Sequence, residues 1–534
     1  MAEAIALSPD HAAWRPRYNP WLIALTVTLA TFMEVLDTSI ANVALPHIAG
    51  GFGASSDEST WILTSYLVSN AIVLPISAWL ATRFGRKRFY MICVALFAAS
   101  SFLCGLAPSL GVLIFFRVLQ GAGGGGLQPS EQAILADTFP ASKRGMAFAV
   151  YGMAVVVAPA IGPTLGGWIT DNYSWRWIFY INVPVSLISL YLTHRLIEDP
   201  PFLQKERERH KTIRVDYIGL GLVALGIGAL QMVLDKGQES DWFSSHWIVA
   251  GTIASIGLLI AWVIWEWRHP NPIVELTLLK KRNFATAVFF MFILGIVLYG
   301  TTVLIPQYLQ LLMGYPAVLA GEALAGGGFI MMVMMPISGT LTSKMDPRKL
   351  MAAGFVSVAT GLYFMSTHLT LGMDFQTIAM LRVFQTAGLA FIFIPSNTLS
   401  YVGVPREKNN QISSMVAFVR NIGGSIGIAL IATAITRVAQ VRQNYLAGNM
   451  HSGNPKFRQM LEGMTASLQA AGLSPATASH QAYARMQALL QQQATSLAYT
   501  DVVSVLALAI LALAPLSFLM KRPPSGADDA PPMH

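Results

Sequence analysis

The chain has 534 residues, 54% of them hydrophobic and only 12% charged, with a mean hydropathy of +0.53. A soluble domain carries about twice that charged fraction, so a polytopic membrane protein is expected and a soluble enzyme or nucleic-acid-binding domain is excluded. The net charge of +8 therefore asks to be read by its distribution along the chain.

Residues 1–20 are polar, contain Arg15 and Arg17, and lack the apolar core and cleavage site of a signal peptide. They are read as a retained N-terminal tail. Fourteen apolar runs follow, at about 21–45, 59–82, 89–107, 110–136, 145–170, 176–197, 215–235, 246–266, 284–310, 318–343, 349–370, 375–402, 411–436 and 500–520. An even number places both termini on one side. The segments on that side hold 25 of the 35 Lys and Arg residues, whereas the short loops opposite hold only Arg176 and Lys236. The positive-inside rule then makes both termini cytoplasmic, and the charge is topological. Cys93 and Cys104 share one apolar run, which excludes a disulfide framework and reads as packing.

The chain also repeats itself. LPISAWLATRFGRK (74–87) returns as MPISGTLTSKMDPRK (335–349), RVLQGAG (117–123) as RVFQTAG (382–388), and GPTLG (162–166) as GGSIG (423–427). The offsets are 261, 265 and 261 positions. Two duplicated six-helix halves follow, with an additional helix pair at about 215–266 between them, an arrangement typical of transporters. The organisation predicted is a tail (1–20), a first half (21–197), the inserted pair with its loops (198–283), a second half (284–520) containing an outer segment (438–499), and a C-terminal tail (521–534).

LDTSIANVALP (36–46), RVLQGAGGG (117–125), GPTLGGWI (162–169) and WRWIFYINVP (175–184) together resemble the signature motifs of the major facilitator superfamily, in particular its fourteen-helix drug:proton antiporters. DKGQESDWFSS (235–245) and the long segment 438–499 are similar to EmrB-type multidrug efflux permeases. The resemblance implies the all-α major facilitator fold and proton-coupled multidrug efflux by alternating access, with a proton gradient as energy source and no cofactor. It also implies a place in the bacterial inner membrane, with an EmrA-like periplasmic membrane-fusion adaptor and a TolC-like outer-membrane channel as partners. The chain departs from the family pattern at Ala78 and Thr82, where the family has glycine and aspartate. The family's charge-paired cytoplasmic gate is therefore not transferred to Thr82. Arg83, Arg86 and Lys87 are retained, and plain topology accounts for them as well as gating does.

Two acids stand inside the first span. Asp37 lies nine residues before Pro46, roughly 13 Å below the outer surface, and Arg117 enters the fourth span to roughly 12 Å. An isolated charge at that depth is costly, so the two are expected to face one cavity. Glu34, three residues from Asp37, shares its helical face and has no basic partner visible at its depth. Asp37, Glu34 and Arg117 are the proton-coupling candidates. Asn42, Tyr66, Gln120, Tyr299, Gln307 and Arg420 are the substrate-cavity candidates, and Gly162, Pro163, Gly166 and Gly167, with Arg83 and Arg86, those for gating and helix packing. Arg382 and Arg420 are lone charges in the second half, for which hydrogen bonds to backbone carbonyls compete with substrate contact. Glu131 and Glu322 fall near span ends, where a solvated carboxylate is ordinary.

Glycines 123–126 lie within a span and are not followed by Gly-Lys-Ser/Thr, so an ATP-binding loop is excluded; no HExxH and no cysteine–histidine grouping offers enzyme chemistry. Substrates are expected to be hydrophobic small-molecule drugs, with membrane lipids around the chain and no nucleic acid. The alternatives are a dedicated exporter of an anionic metabolite such as a fatty acid, and a non-transporting sensor. Gln487, Gln491, Gln492 and Gln493 flank Leu489, Leu490 and Ala494, which suggests a helix whose apolar face awaits the adaptor.

Overall fold

The computed structural model describes residue 14, residues 16–211 and residues 215–521. Arg15, Arg214, Arg522 and most of both tails lie outside the described residues. Among the described residues fourteen helices are long and apolar enough to cross a membrane: α1 Pro20–Phe52, α2 Asp57–Phe84, α3 Arg86–Leu106, α4 Leu110–Thr138, α5 Ala141–Asn172, α6 Trp177–Leu196, α7 Tyr217–Lys236, α8 His246–Arg268, α9 Arg282–Leu312, α10 Leu319–Lys344, α11 Pro347–His368, α12 Phe375–Ser400, α13 Arg406–Ala447 and α14 Pro475–Leu519. No strand occurs among the described residues.

Local chemistry sets the helix ends. Asn19 caps α1 by accepting from the Trp21 amide at 2.9 Å, with Pro20 in the first turn. Ser55 and Glu58 form a reciprocal capping box at the start of α2. Between caps, apolar runs carry the chain across, because hydrocarbon offers no partner to an unpaired backbone group.

The repeat reappears as packing. α1 lies along α5 as α9 lies along α13, α2 meets α4 as α10 meets α12, and α3 meets α4 as α11 meets α12. α7 and α8 pack on each other, and α7 leans on α2 and α13. The two halves meet most extensively along α5 and α10. On the side of the termini this seam is backbone against backbone: a Cβ added at Gly145 would stand 2.7 Å from the Gly339 carbonyl oxygen.

The outer segment is ordered helix. α13 continues unbroken from Asn409 to Ala447, and the last helix runs from Pro475 to Leu513, 39 residues each. At 1.5 Å per residue each is about 58 Å long, against a hydrocarbon core of about 30 Å. Both therefore project beyond the membrane, joined by a short helix, Pro455–Ala470. Arg442 and Asp501 form a two-point ion pair between them, at 2.7 and 2.8 Å. The apolar face expected to await a partner is partly used at home. Ala494 is buried, Leu489 and Leu490 are half-buried, and Gln492 donates to the Leu312 carbonyl at 2.6 Å.

Candidate functional site

Asp37 on α1 and Arg117 on α4 meet as a buried ion pair, with Arg117 Nη1 at 2.6 Å from Asp37 Oδ2 and both side chains essentially inaccessible. The surroundings satisfy the pair. Gln120 accepts from Arg117 at 2.9 Å and donates to Asp37 Oδ1 at 3.0 Å, while Asn182 on α6 donates to the same oxygen at 2.7 Å. Arg117 Nε donates to the Ile62 carbonyl, and its guanidinium lies 4.3 Å from the centre of the Tyr66 ring. Such a pair is stable only with this many ligands, because removing two charges from water is expensive.

Glu34, one turn nearer the side of the termini, accepts from Gln128 at 2.8 Å, Asn70 at 3.2 Å and Tyr66 at 3.4 Å. It also lines a cavity of about 220 Å³ between the halves, which runs from Gln128 at mid-depth to Asp235 and Gln238 at the far side. The expectation that Glu34 has no cation at its depth needs correction. Arg420 on α13 reaches across the halves and donates 2.6 Å bonds to Gln128 and Tyr151, so one glutamine joins Glu34 to a guanidinium. The sequence hid this because 386 positions separate the two residues.

The cavity candidates divide. Tyr66 and Tyr299 line the wall. Gln120 is buried inside the Asp37–Arg117 network instead, Arg420 stands behind Gln128, and Asn42 and Gln307 are exposed outside the cavity lining. α7 supplies Gln231, Leu234, Asp235 and Gln238 to the wall, so a helix of the inserted pair closes the gap between α2 and α13. Arg382 and Arg420 bond side chains, not the backbone carbonyls weighed from the sequence.

Glycine governs the α1–α5 contact beside the ion pair. A Cβ at Gly162 would come within 2.3 Å of Ser39 Oγ, and one at Gly166 within 3.1 Å of the Ile40 side chain. Gly167 is buried in the same helix, and Pro163 faces Gly321 of α10.

On the side of the termini the halves are tied shut. Arg86 is 2% exposed and bridges them, pairing with Asp137 of α4 and donating from Nε to Asn410 of α13 at 2.7 Å. Asn409 donates to the same Asp137, and Ser414 donates to the Leu74 carbonyl at 2.7 Å. Thr82 accepts from Asn410 at 3.3 Å, a neutral bond where the family has its aspartate. Asp137, absent from the sequence candidates, is the acid that pairs here. Arg83 is only half-buried. Glu131 also departs from expectation. It is fully buried in α4 and accepts from Thr28 at 2.6 Å, whereas Glu322 is exposed.

Fourteen spans in two repeat-related halves around a polar cavity define a multi-pass secondary transporter. The chain belongs to the Major Facilitator Superfamily, whose model matches residues 27–428. It is 38% identical over 455 residues to the multidrug export protein EmrB of Escherichia coli K12, covering 84% of this chain and 88% of that protein. It is 39% identical over 416 residues to the fatty acid resistance protein FarB of Neisseria gonorrhoeae, covering 77% and 80%. The solved proton:xylose symporter XylE shares the fold, with a TM-score of 0.57 at 15% identity over 93% of this chain and 96% of that one.

Proposed function

We propose that the protein exports hydrophobic or amphiphilic toxic compounds from the bacterial cytoplasm in exchange for protons, sitting in the inner membrane with both termini cytoplasmic. The observation that carries this reading is the continuity from Glu34 on the cavity wall, through Tyr66, to the buried Asp37–Arg117 pair. A carboxyl group that shares a cavity with the cargo can exchange a proton for it, which couples the two movements. The similarity to EmrB supports drug-like cargo. In this reading the structure is open toward the periplasm, because the ties at Arg86 and Ser414 close the other side. Gly162, Pro163, Gly166 and Gly167 form the packing surface that slides during exchange.

The projecting ends of α13 and α14 fit a docking element for a periplasmic membrane-fusion adaptor leading to an outer-membrane channel. Carrying a solute across one membrane does not require them. A second reading, export of an anionic compound such as a fatty acid, is favoured by Arg420, a fully buried guanidinium between the halves to which no carboxylate among the described residues is bonded. The similarity to FarB points the same way. Proteoliposomes with an imposed pH gradient and a panel of cationic, neutral and acidic apolar compounds test both. Drug efflux of the cationic and neutral members supports the first reading, movement of acidic members alone supports the second, and no gradient-dependent flux rejects both.

A further inference from the structure

A second cavity, of about 290 Å³, lies on the side of the termini and shares no wall residue with the central one. Its walls come from the end of α2, the end of α8, the helix Pro201–Lys211, the 269–277 connection and the start of α13. Both halves and the inserted pair therefore build it together. Gln411 of α13 holds the connection by donating to the Ile273 carbonyl at 3.1 Å.

The charge of this cavity runs against its setting. Four carboxylates, Glu206, Glu266, Glu275 and Glu407, line it with one lysine, Lys408, which is held by Glu275 at 2.7 Å. Yet this is the side where the chain concentrates its lysines and arginines. Glu266 supplies an independent sign of a ligand. It is 2% exposed, and one oxygen accepts from Trp262 Nε1 at 3.1 Å. Its other oxygen lies against the Ile273 and Val274 amides, which reach it only with poor geometry, and among the described residues it has no well-formed hydrogen bond. A buried carboxylate oxygen that has only these poorly aligned amides is under-satisfied, and an N–H-bearing cation would meet both its charge and its remaining lone pairs. Trp79 and Trp267 add aromatic surface to the same walls. Trp267 already carries a cation, the Lys280 ammonium 5.3 Å from its ring centre.

We infer that this vestibule is a second binding site, for a protonated amine borne on an aromatic body, with Glu266 taking the ammonium and Trp79 and Trp267 the rings. The site is distinct from the exchange cavity. Because its walls belong to both halves, it is complete only while they are joined on this side.

The test uses the full chain in lipid nanodiscs and the protonated fluorophore 9-aminoacridine. Cys93 and Cys104 are buried, so Asn271→Cys, at an exposed position on the rim, introduces the reactive thiol. The fluorophore should slow maleimide labelling of that thiol at least tenfold, and an uncharged three-ring analogue should not. Glu266→Gln should remove the protection and Trp267→Leu, at a partly exposed position, should weaken it several-fold. Glu34→Gln, in the central cavity, should leave it intact. Labelling unaffected by the cation, protection equal for the uncharged analogue, protection that survives both Glu266→Gln and Trp267→Leu, or protection abolished by Glu34→Gln each overturns the inference. Should Glu266→Gln fail to fold, the charge requirement and Trp267→Leu still decide. Absence of proton-driven efflux with protection intact would reject the export reading and leave this site standing.

Discussion

The two halves solve one geometric problem with different chemistry. In the first, Arg117 and Gln120 of α4 close a ring with Asp37 of α1. In the second, Arg382 and Gln385 of α12 close the same ring with Thr301 of α9, at 2.8 Å from the arginine and 3.0 Å from the glutamine, and Arg382 also donates to Thr302 at 3.1 Å. Thr301 stands 264 positions after Asp37, within the 261–265 spacing of the repeat. Duplication has thus kept the arginine–glutamine frame and exchanged its acid for a hydroxyl. The first half holds titratable carboxyls at depth, Glu34, Asp37 and Glu131, whereas the second holds arginines bonded to neutral side chains. We propose accordingly that proton chemistry belongs to the first half and that the second serves as a frame against which it moves.

The largest effect should come from breaking the charged ring. Asp37→Asn removes the charge facing a buried guanidinium, a class of change that costs about 3–5 kcal/mol, and should reduce pH-driven efflux to the level of protein-free vesicles. Near-normal efflux by a folded Asp37→Asn variant would make the pair structural. Arg86→Gln comes next, since it loosens a tie that joins the halves. Access from the side of the termini should rise several-fold, read as alkylation of a thiol introduced at Ser396. Unchanged alkylation would place the closure elsewhere, along Gly145 and Gly339.

Glu34→Gln should be milder, leaving efflux but narrowing the pH range over which it operates; a profile superimposable on the parent's would remove Glu34 from the coupling. Thr301→Val strips the acid-free ring of two hydrogen bonds, one of them from the Arg382 guanidinium, a loss of about 1–3 kcal/mol or more where a charged group is left unpaired. It should lower the thermal midpoint while efflux stays within twofold of the parent. The smallest effect on transport should follow replacement of residues 449–485 by a flexible linker. Vesicle efflux should persist while whole-cell resistance and adaptor co-purification are lost, and loss of vesicle efflux would put the segment in the transport path.

Much of this was legible in the sequence because its signals are local or periodic. The fourteen spans follow from runs of apolar residues, the duplication from three motif offsets, and the Asp37–Arg117 approach from counting helical rise. Contacts between the halves left no such trace. Gln128 is an ordinary polar residue until Glu34 and Arg420 arrive on it from opposite helices. Asp137 becomes the partner of Arg86 only because α3 and α4 converge at their ends. Glu131 looked solvated from its place near a span end, but α1 lays Thr28 against it. Of the outer segment only the stretch from Gln487 to Ala494 reads as helix in the sequence, since 39-residue helices whose two ends lie in different solvents have no single periodicity.

Proton counting tests the division between the halves most directly. Purified protein in weak buffer with a pH-sensitive dye is mixed with a cationic drug, and the protons released on binding are measured. The parent, Thr301→Val and Arg382→Gln should release equal amounts, and the double variant Glu34→Gln with Asp37→Asn should release none while still binding the drug. Undiminished release from that double variant, or its loss on changing Arg382 alone, would contradict the assignment of proton exchange to the first half.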